Sequence, residues 1–215
     1  MLKIMGALVG FCLLVVVTAV LGYLLIPINK EYVYTFDGEI TEHSVTELVH
    51  KIRSIKETDR LTIHLSTVGG SVLAGYKIVD AMHRAKGTVH LNVPSYALSM
   101  GADLLCQADT YTISDFAIVM WHPMQQNGQS LLRSNKDLSA PERAFLDGMD
   151  MLMKKCSKFL TKKDFRDLEL GKELWFTGKI LKERDRQYQN GIERKERQGI
   201  SVYKSYISPL VVTSS

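Results

Sequence analysis

Cysteine is scarce in this chain, with Cys12, Cys106 and Cys156 the three among 215 residues. An odd count without metal-ligand spacing excludes a zinc module and argues against a disulfide-stapled fold. Charge of one sign is equally sparse. Twenty-seven basic residues against 23 acidic leave a net +4, too small a surplus for a nucleic-acid footprint. No run fits GxxxxGK[ST], so any nucleotide-driven step would belong to a partner. Internal repeats and low-complexity tracts are absent as well. What remains is ordinary globular composition, 46% hydrophobic and 23% charged, too apolar for disorder. The length fits one domain plus an appendage.

One further absence is local. From Ile4 to Ile28 there is no charged residue; Lys3 precedes the run, and Lys30 and Glu31 close it. About 20 apolar helical residues cross a bilayer, so this run is long enough with some tilt. A signal peptide usually has an apolar region of about 7–15 residues and a small-residue cleavage site. Leu24-Leu25-Ile26-Pro27-Ile28 offers no such site. The expectation is one uncleaved transmembrane anchor over 1–30, in contact with membrane lipid. The expected orientation has the N-terminus inside. Cys12 falls within the span, whereas Cys106 and Cys156 sit in apolar helical contexts and read as small buried hydrophobes.

Beyond the anchor, strands alternate with helices. Period-two patterning predicts strands over 32–36, 61–65, 88–93, 111–113 and 117–121. Helical spacing predicts helices over 45–55, 72–85 and 99–106, with Gly87 ending the second, and a long helix from Pro141 to about Phe159. This order argues for an α/β fold with parallel pairing. The main domain is expected over 31–180. A charged extension and tail over 181–215 carries both signs interleaved, as a solvated face does, and gives no reason to expect a nucleic-acid partner.

Three places could hold chemistry. Gly69-Gly70 follows a strand and would let peptide N–H groups face a ligand. Ser99 stands where a helix begins. It could be a nucleophile with the free N–H of Met100 beside it, or a plain helix cap. From the residues alone, the cap is the better reading. His122 ends a strand between Trp121 and Pro123, and imidazole is suited to taking a serine proton near neutrality. The other five histidines (His43, His50, His64, His83, His90) lie within predicted elements.

The segments Leu65-Ser66-Thr67-Val68-Gly69-Gly70-Ser71-Val72, Ala97-Leu98-Ser99-Met100-Gly101-Ala102 and Val119-Met120-Trp121-His122-Pro123 resemble the proteolytic subunit of Clp protease (ClpP). The wider relatives are the membrane-associated serine peptidases of the ClpP/crotonase superfamily. Order and spacing both match, with Ser99 twenty-nine residues after Gly70 and His122 twenty-three after Ser99. The likeness covers about Tyr32 to Thr177. It implies superhelical ββα repeats with a protruding handle helix, here the helix from Pro141.

It further implies Ser99 as nucleophile, His122 as general base, and the N–H groups of Gly70 and Met100 as an oxyanion hole. Glu173, in Glu173-Leu174-Trp175-Phe176-Thr177, takes the place of the family's acid, with Asp167 the runner-up. Segments after Gly70 and after His122 would hold an extended peptide by strand pairing. No metal or cofactor is implied. The partners implied are a peptide or unfolded protein, further copies in a homo-oligomeric ring, and a separate ATPase unfoldase. An exposed apolar stripe from Phe145 to Cys156 would serve the ring. The chain departs from the family at Val68 (Pro there), Leu98 (a small residue there) and Glu173 (more commonly Asp). The family's ending after Thr177 is also not recognisable. The expected function is that of a membrane-anchored serine endopeptidase. The alternatives are a catalytically inactive scaffold at the membrane and acyl-CoA chemistry on the shared superfold.

Overall fold

The computed structural model describes residues 29–126, 129–132 and 138–197. The expected anchor therefore lies outside the described residues. Among those described, no helix is long and apolar enough to cross a membrane.

The architecture is mixed α/β around a parallel sheet, with six α-helices among the described residues. Strands β1 (Glu31–Asp37), β2 (Arg60–Ser66), β3 (Thr88–Val93) and β5 (Thr110–Ile113) run in the order β1-β2-β3-β5, all parallel. Their alternation sets the two faces. Leu61, Ile63 and Leu65 of β2, with Val89, Leu91 and Val93 of β3, are buried in the core. The opposite face is a polar ladder. Arg60 and Thr110 both meet His90 Nδ1, at 3.0 and 2.8 Å, and Asn92 bridges His64 and Thr112. Two of the histidines are thus sheet-face residues, and Arg60 beside the partly buried His90 adds to desolvation in holding its pKa down.

Helices α1 (Val45–Ser54) and α2 (Val72–His83) cross over between the strands, with Leu48, Ile52 and Ile78 fully buried. Gly87 does not end α2. The helix stops at His83, capped by Arg84 N–H donating to the Asp80 carbonyl and Ala85 N–H donating to the Met82 carbonyl. Gly87 is instead a point of close approach, where a Cβ would lie 2.4 Å from the carbonyl oxygens of Lys56 and Asp59.

A second, three-stranded sheet carries the site. It contains β4 (Tyr96–Leu98), β6 (Ile118–Trp121) and β9 (Leu174–Thr177), in the order β4-β6-β9. Between β6 and β9 come a two-stranded hairpin, β7 (Gln125–Gln126) with β8 (Gln129–Ser130), and two helices. Of these, α4 (Ala140–Lys154) begins in a capping box of Ser139 and Glu142, and α5 (Lys162–Glu169) begins in another, of Thr161 and Asp164. Helix α6 (Gly178–Arg197) then takes in residues 181–197 of the charged extension.

Two expectations about packing are corrected. Half of the α4 stripe is taken up by the chain's own core, while Phe145, Met149 and Met153 stay partly exposed. Leu146, Leu152 and Cys156 are buried in the chain's own interior, and the exposed large apolar residue of this region is Met151, 71% accessible. The cysteines are more than small hydrophobes. Cys106, in the short helix α3 (Met100–Gln107), and Cys156, in the 3-10 turn after α4, are both fully buried and joined by a disulfide.

Candidate active site

The site is assembled at the C-terminal ends of parallel strands. Thr67, just past β2, bridges to Ala97 in β4: Thr67 N–H donates to the Tyr96 carbonyl and Leu98 N–H to the Thr67 carbonyl. Strand β4 in turn lies parallel to β6, with Leu98 beside Met120. Three neighbouring segments therefore end together, and the residues that follow them are Gly69-Gly70, Ser99 and His122. Strand β9 runs antiparallel to β6, with Leu174 opposite Trp121. That register carries Glu173 to the level of His122.

Ser99 is the only non-glycine residue with positive φ among those described, at φ 54° and ψ −124°. Such a conformation costs a non-glycine residue on the order of 1–3 kcal/mol. The fold holds it from both sides. Ser99 N–H donates to the Met120 carbonyl at 2.8 Å, and the Ser99 carbonyl accepts from Ala102 and Asp103. Its side chain makes no capping bond to α3. The cap reading, favoured by the sequence alone, is thus not what the structure shows. Gly69 makes the turn possible. With φ 91°, it passes so close that a Cβ there would lie 2.7 Å from Ser99 Cβ and 3.1 Å from Met100 N.

Ser99, His122, Gly70 and Met100 line one pocket of about 260 Å³. The N–H groups of Gly70 and Met100 have no acceptor among the described residues. For Met100 the cause is its place at the first turn of α3, where a backbone donor has no intrahelical partner. Ser99 and His122 share the pocket without hydrogen-bonding to each other. His122 Nδ1 lies 2.5 Å from the Pro123 carbonyl oxygen. A carbonyl can only accept, so Nδ1 carries the proton and Nε2 is left as the basic nitrogen.

The two acid candidates are placed differently. Glu173 is exposed, and its Oε2 accepts from Trp175 Nε1 at 3.0 Å; no bond to His122 is formed. Asp167 is tied down elsewhere. Lys163 and Lys172 donate to its two carboxylate oxygens at 2.5 and 2.8 Å and hold its pKa down to about 2. The peptide-holding segments also differ from expectation. After Gly70 the chain does not continue as an edge strand: Ser71 N–H is taken by the Ile40 carbonyl, and Ser71 Oγ caps α2. After His122 the hairpin β7-β8 does follow. Among the described residues no cluster of His, Cys, Asp or Glu suits a metal ion.

One pocket residue escaped the sequence reading. Asp103 also lines the pocket, yet is only 4% accessible. Burial pushes its carboxyl up to about 7, partly offset by the nearby Trp121 indole N–H. Asp103 Oδ1 and Trp121 Nε1 are both buried, and neither has a partner at hydrogen-bond distance and angle among the described residues. The available signal was a lone charge in the otherwise uncharged stretch 100–107.

Among individually curated proteins no match was found. The profile of the family described as Clp protease matches residues 26–169, a span that takes in both glycines, Ser99 and His122 and stops short of Glu173. The chain belongs to the Clp protease family.

Proposed function

We propose that this protein is a serine endopeptidase that cleaves peptide bonds through an acyl-enzyme. The observation that carries the reading is the left-handed Ser99, uncapped and facing a pocket shared with His122 and two unpaired backbone donors. In the first step Ser99 Oγ bonds to the substrate carbonyl carbon, and its proton passes to His122 Nε2. The carbonyl oxygen becomes an oxyanion that accepts from the Gly70 and Met100 N–H groups. Collapse breaks the C–N bond, and His122 returns the proton to the departing amine. Water then attacks the ester and gives a proton to His122; as the ester C–O bond breaks, His122 returns that proton to Ser99 Oγ, and the acid product leaves and ionises. The Pro123 carbonyl keeps Nδ1 protonated throughout. Glu173, level with His122, would stabilise the imidazolium once its side chain leaves Trp175.

The apolar run 4–28 supports membrane anchoring, and membership of the family supports peptide substrates and assembly of several copies. The ring and an ATPase partner belong to the same proposal. A second reading, an inactive scaffold, is favoured by one observation: Glu173 is bonded to Trp175 and not to His122. Acyl-CoA chemistry would leave the Ser–His arrangement without a use.

Labelling by a fluorophosphonate decides between the first two, because it modifies only a serine activated by a base and an oxyanion hole. The detergent-purified chain is expected to label, and Ser99→Ala to stay unlabelled. An unlabelled wild-type protein that is folded and assembled would establish the scaffold.

A further inference from the structure

Asp103 is unexplained by the chemistry above. Buried polar groups normally find a partner, and one that lacks it in a folded protein calls for a reason. Among the described residues the carboxylate has no ion pair and its Oδ1 no hydrogen-bond partner, and yet it lines the pocket that holds the nucleophile. The charge is not used to secure the fold. Trp121 Nε1, also buried, is itself unsatisfied among the described residues. What the pocket lacks is a cation.

Resting on the peptidase reading, we propose that Asp103 selects substrates carrying lysine or arginine at the residue whose carbonyl Ser99 attacks. Three features place the charge at that residue. Asp103 lies four residues beyond Ser99 along α3, a helical rise of about 6 Å, which an extended basic side chain can span. The oxyanion donors Gly70 and Met100 line the same pocket, so the side chain next to the attacked carbonyl is the one that enters it. Part of the lining is apolar: Val68, Val72 and Met149 suit the methylene stem of a basic side chain. An ammonium or guanidinium entering this pocket gives the carboxylate its missing partner. A leucine leaves it unpaired, which is how buried polar sites reject analogues.

The test uses diphenyl phosphonates of one peptide scaffold with Lys, Arg, Leu or Glu at the position next to phosphorus, reacted with the full chain in detergent. An alkyl fluorophosphonate runs in parallel. The expected result is faster inactivation by the Lys and Arg probes than by Leu, on the order of 100-fold, with Glu slowest. In Asp103→Asn the Lys-to-Leu ratio should collapse towards one. A wild-type protein that reacts with the fluorophosphonate but prefers Leu, or shows no preference, overturns the specificity while leaving the peptidase standing. So does an unchanged ratio in Asp103→Asn. Failure of the fluorophosphonate itself removes the peptidase reading, and this proposal with it. The wild-type series decides even if the variant does not fold.

Discussion

Breaking the Cys106–Cys156 bond is expected to lower stability by an amount set by the loop it closes. The two residues are 50 apart in sequence. For a loop of that length, chain entropy gives about 14 cal/mol/K, or about 4 kcal/mol at 25 °C. In a chain of this size each kcal/mol moves Tm by about 2–4 °C, so the loss should be about 8–16 °C. The bond joins the end of α3, the helix that starts beside the nucleophile, to the turn after α4. A buried hydrogen bond from Gln107 Nε2 to the Leu152 carbonyl, 2.9 Å long, ties the same two segments.

Both cysteines are fully buried, so reductant should act slowly on the native protein and quickly once it unfolds. The assay is a thermal melt of oxidised protein beside protein reduced in denaturant and refolded, with the thiols counted by alkylation and mass spectrometry. The double variant Cys106→Ala/Cys156→Ala removes any ambiguity about reoxidation. A shift below about 2 °C with both thiols shown to be free would refute the reasoning. It would mean that residual structure already confines the denatured chain as much as the disulfide does.

Three further outcomes follow from charges near the site. Glu173→Gln should slow turnover by about 10–100-fold, well short of the 10⁴ typical when loss of the acid lets the histidine take the wrong tautomer, because the Pro123 carbonyl still holds Nδ1–H. Unchanged turnover would remove Glu173 from the mechanism, and Asp167→Asn, with its carboxylate held by two lysines, should label like wild type. Asp103 gives a pH signature. An unfolded aspartate ionises near 4, whereas in the folded chain it holds its proton to about 7. Wild type is therefore favoured below pH 4 and loses ground as pH rises to 7. Relative to wild type, Asp103→Asn should gain on the order of 2–3 kcal/mol between pH 5 and pH 8, read from denaturant melts. Parallel pH profiles for the two would refute the burial of an unpaired carboxylate.

The strands β1, β2 and β3 were legible because one buried face forces a period of two on the sequence, and the predicted strand 88–93 matches β3 at both ends. The three residues of β4, after Pro94-Ser95, are too few to show any period, and yet they position the nucleophile. The disulfide was illegible for a related reason: nothing local links positions 50 residues apart, and each cysteine alone looks like a small apolar residue.

Ser99 shows where residue type stops being informative. Serine at the start of a helix is equally suitable as a cap and as a nucleophile, and the two differ in backbone angle, not in composition. What decides is Gly69, whose missing side chain admits the left-handed turn, and that dependence exists only once β2 and β4 are paired. Asp103 is the converse case. Its charge was visible, but an apolar helix was the stronger pattern, so it was absorbed into the core. The pattern reports what burial favours on average; the residue that violates it is where the average was overruled. In this pocket the violation faces the same space as the nucleophile, so its cause is better sought in the substrate than in the fold.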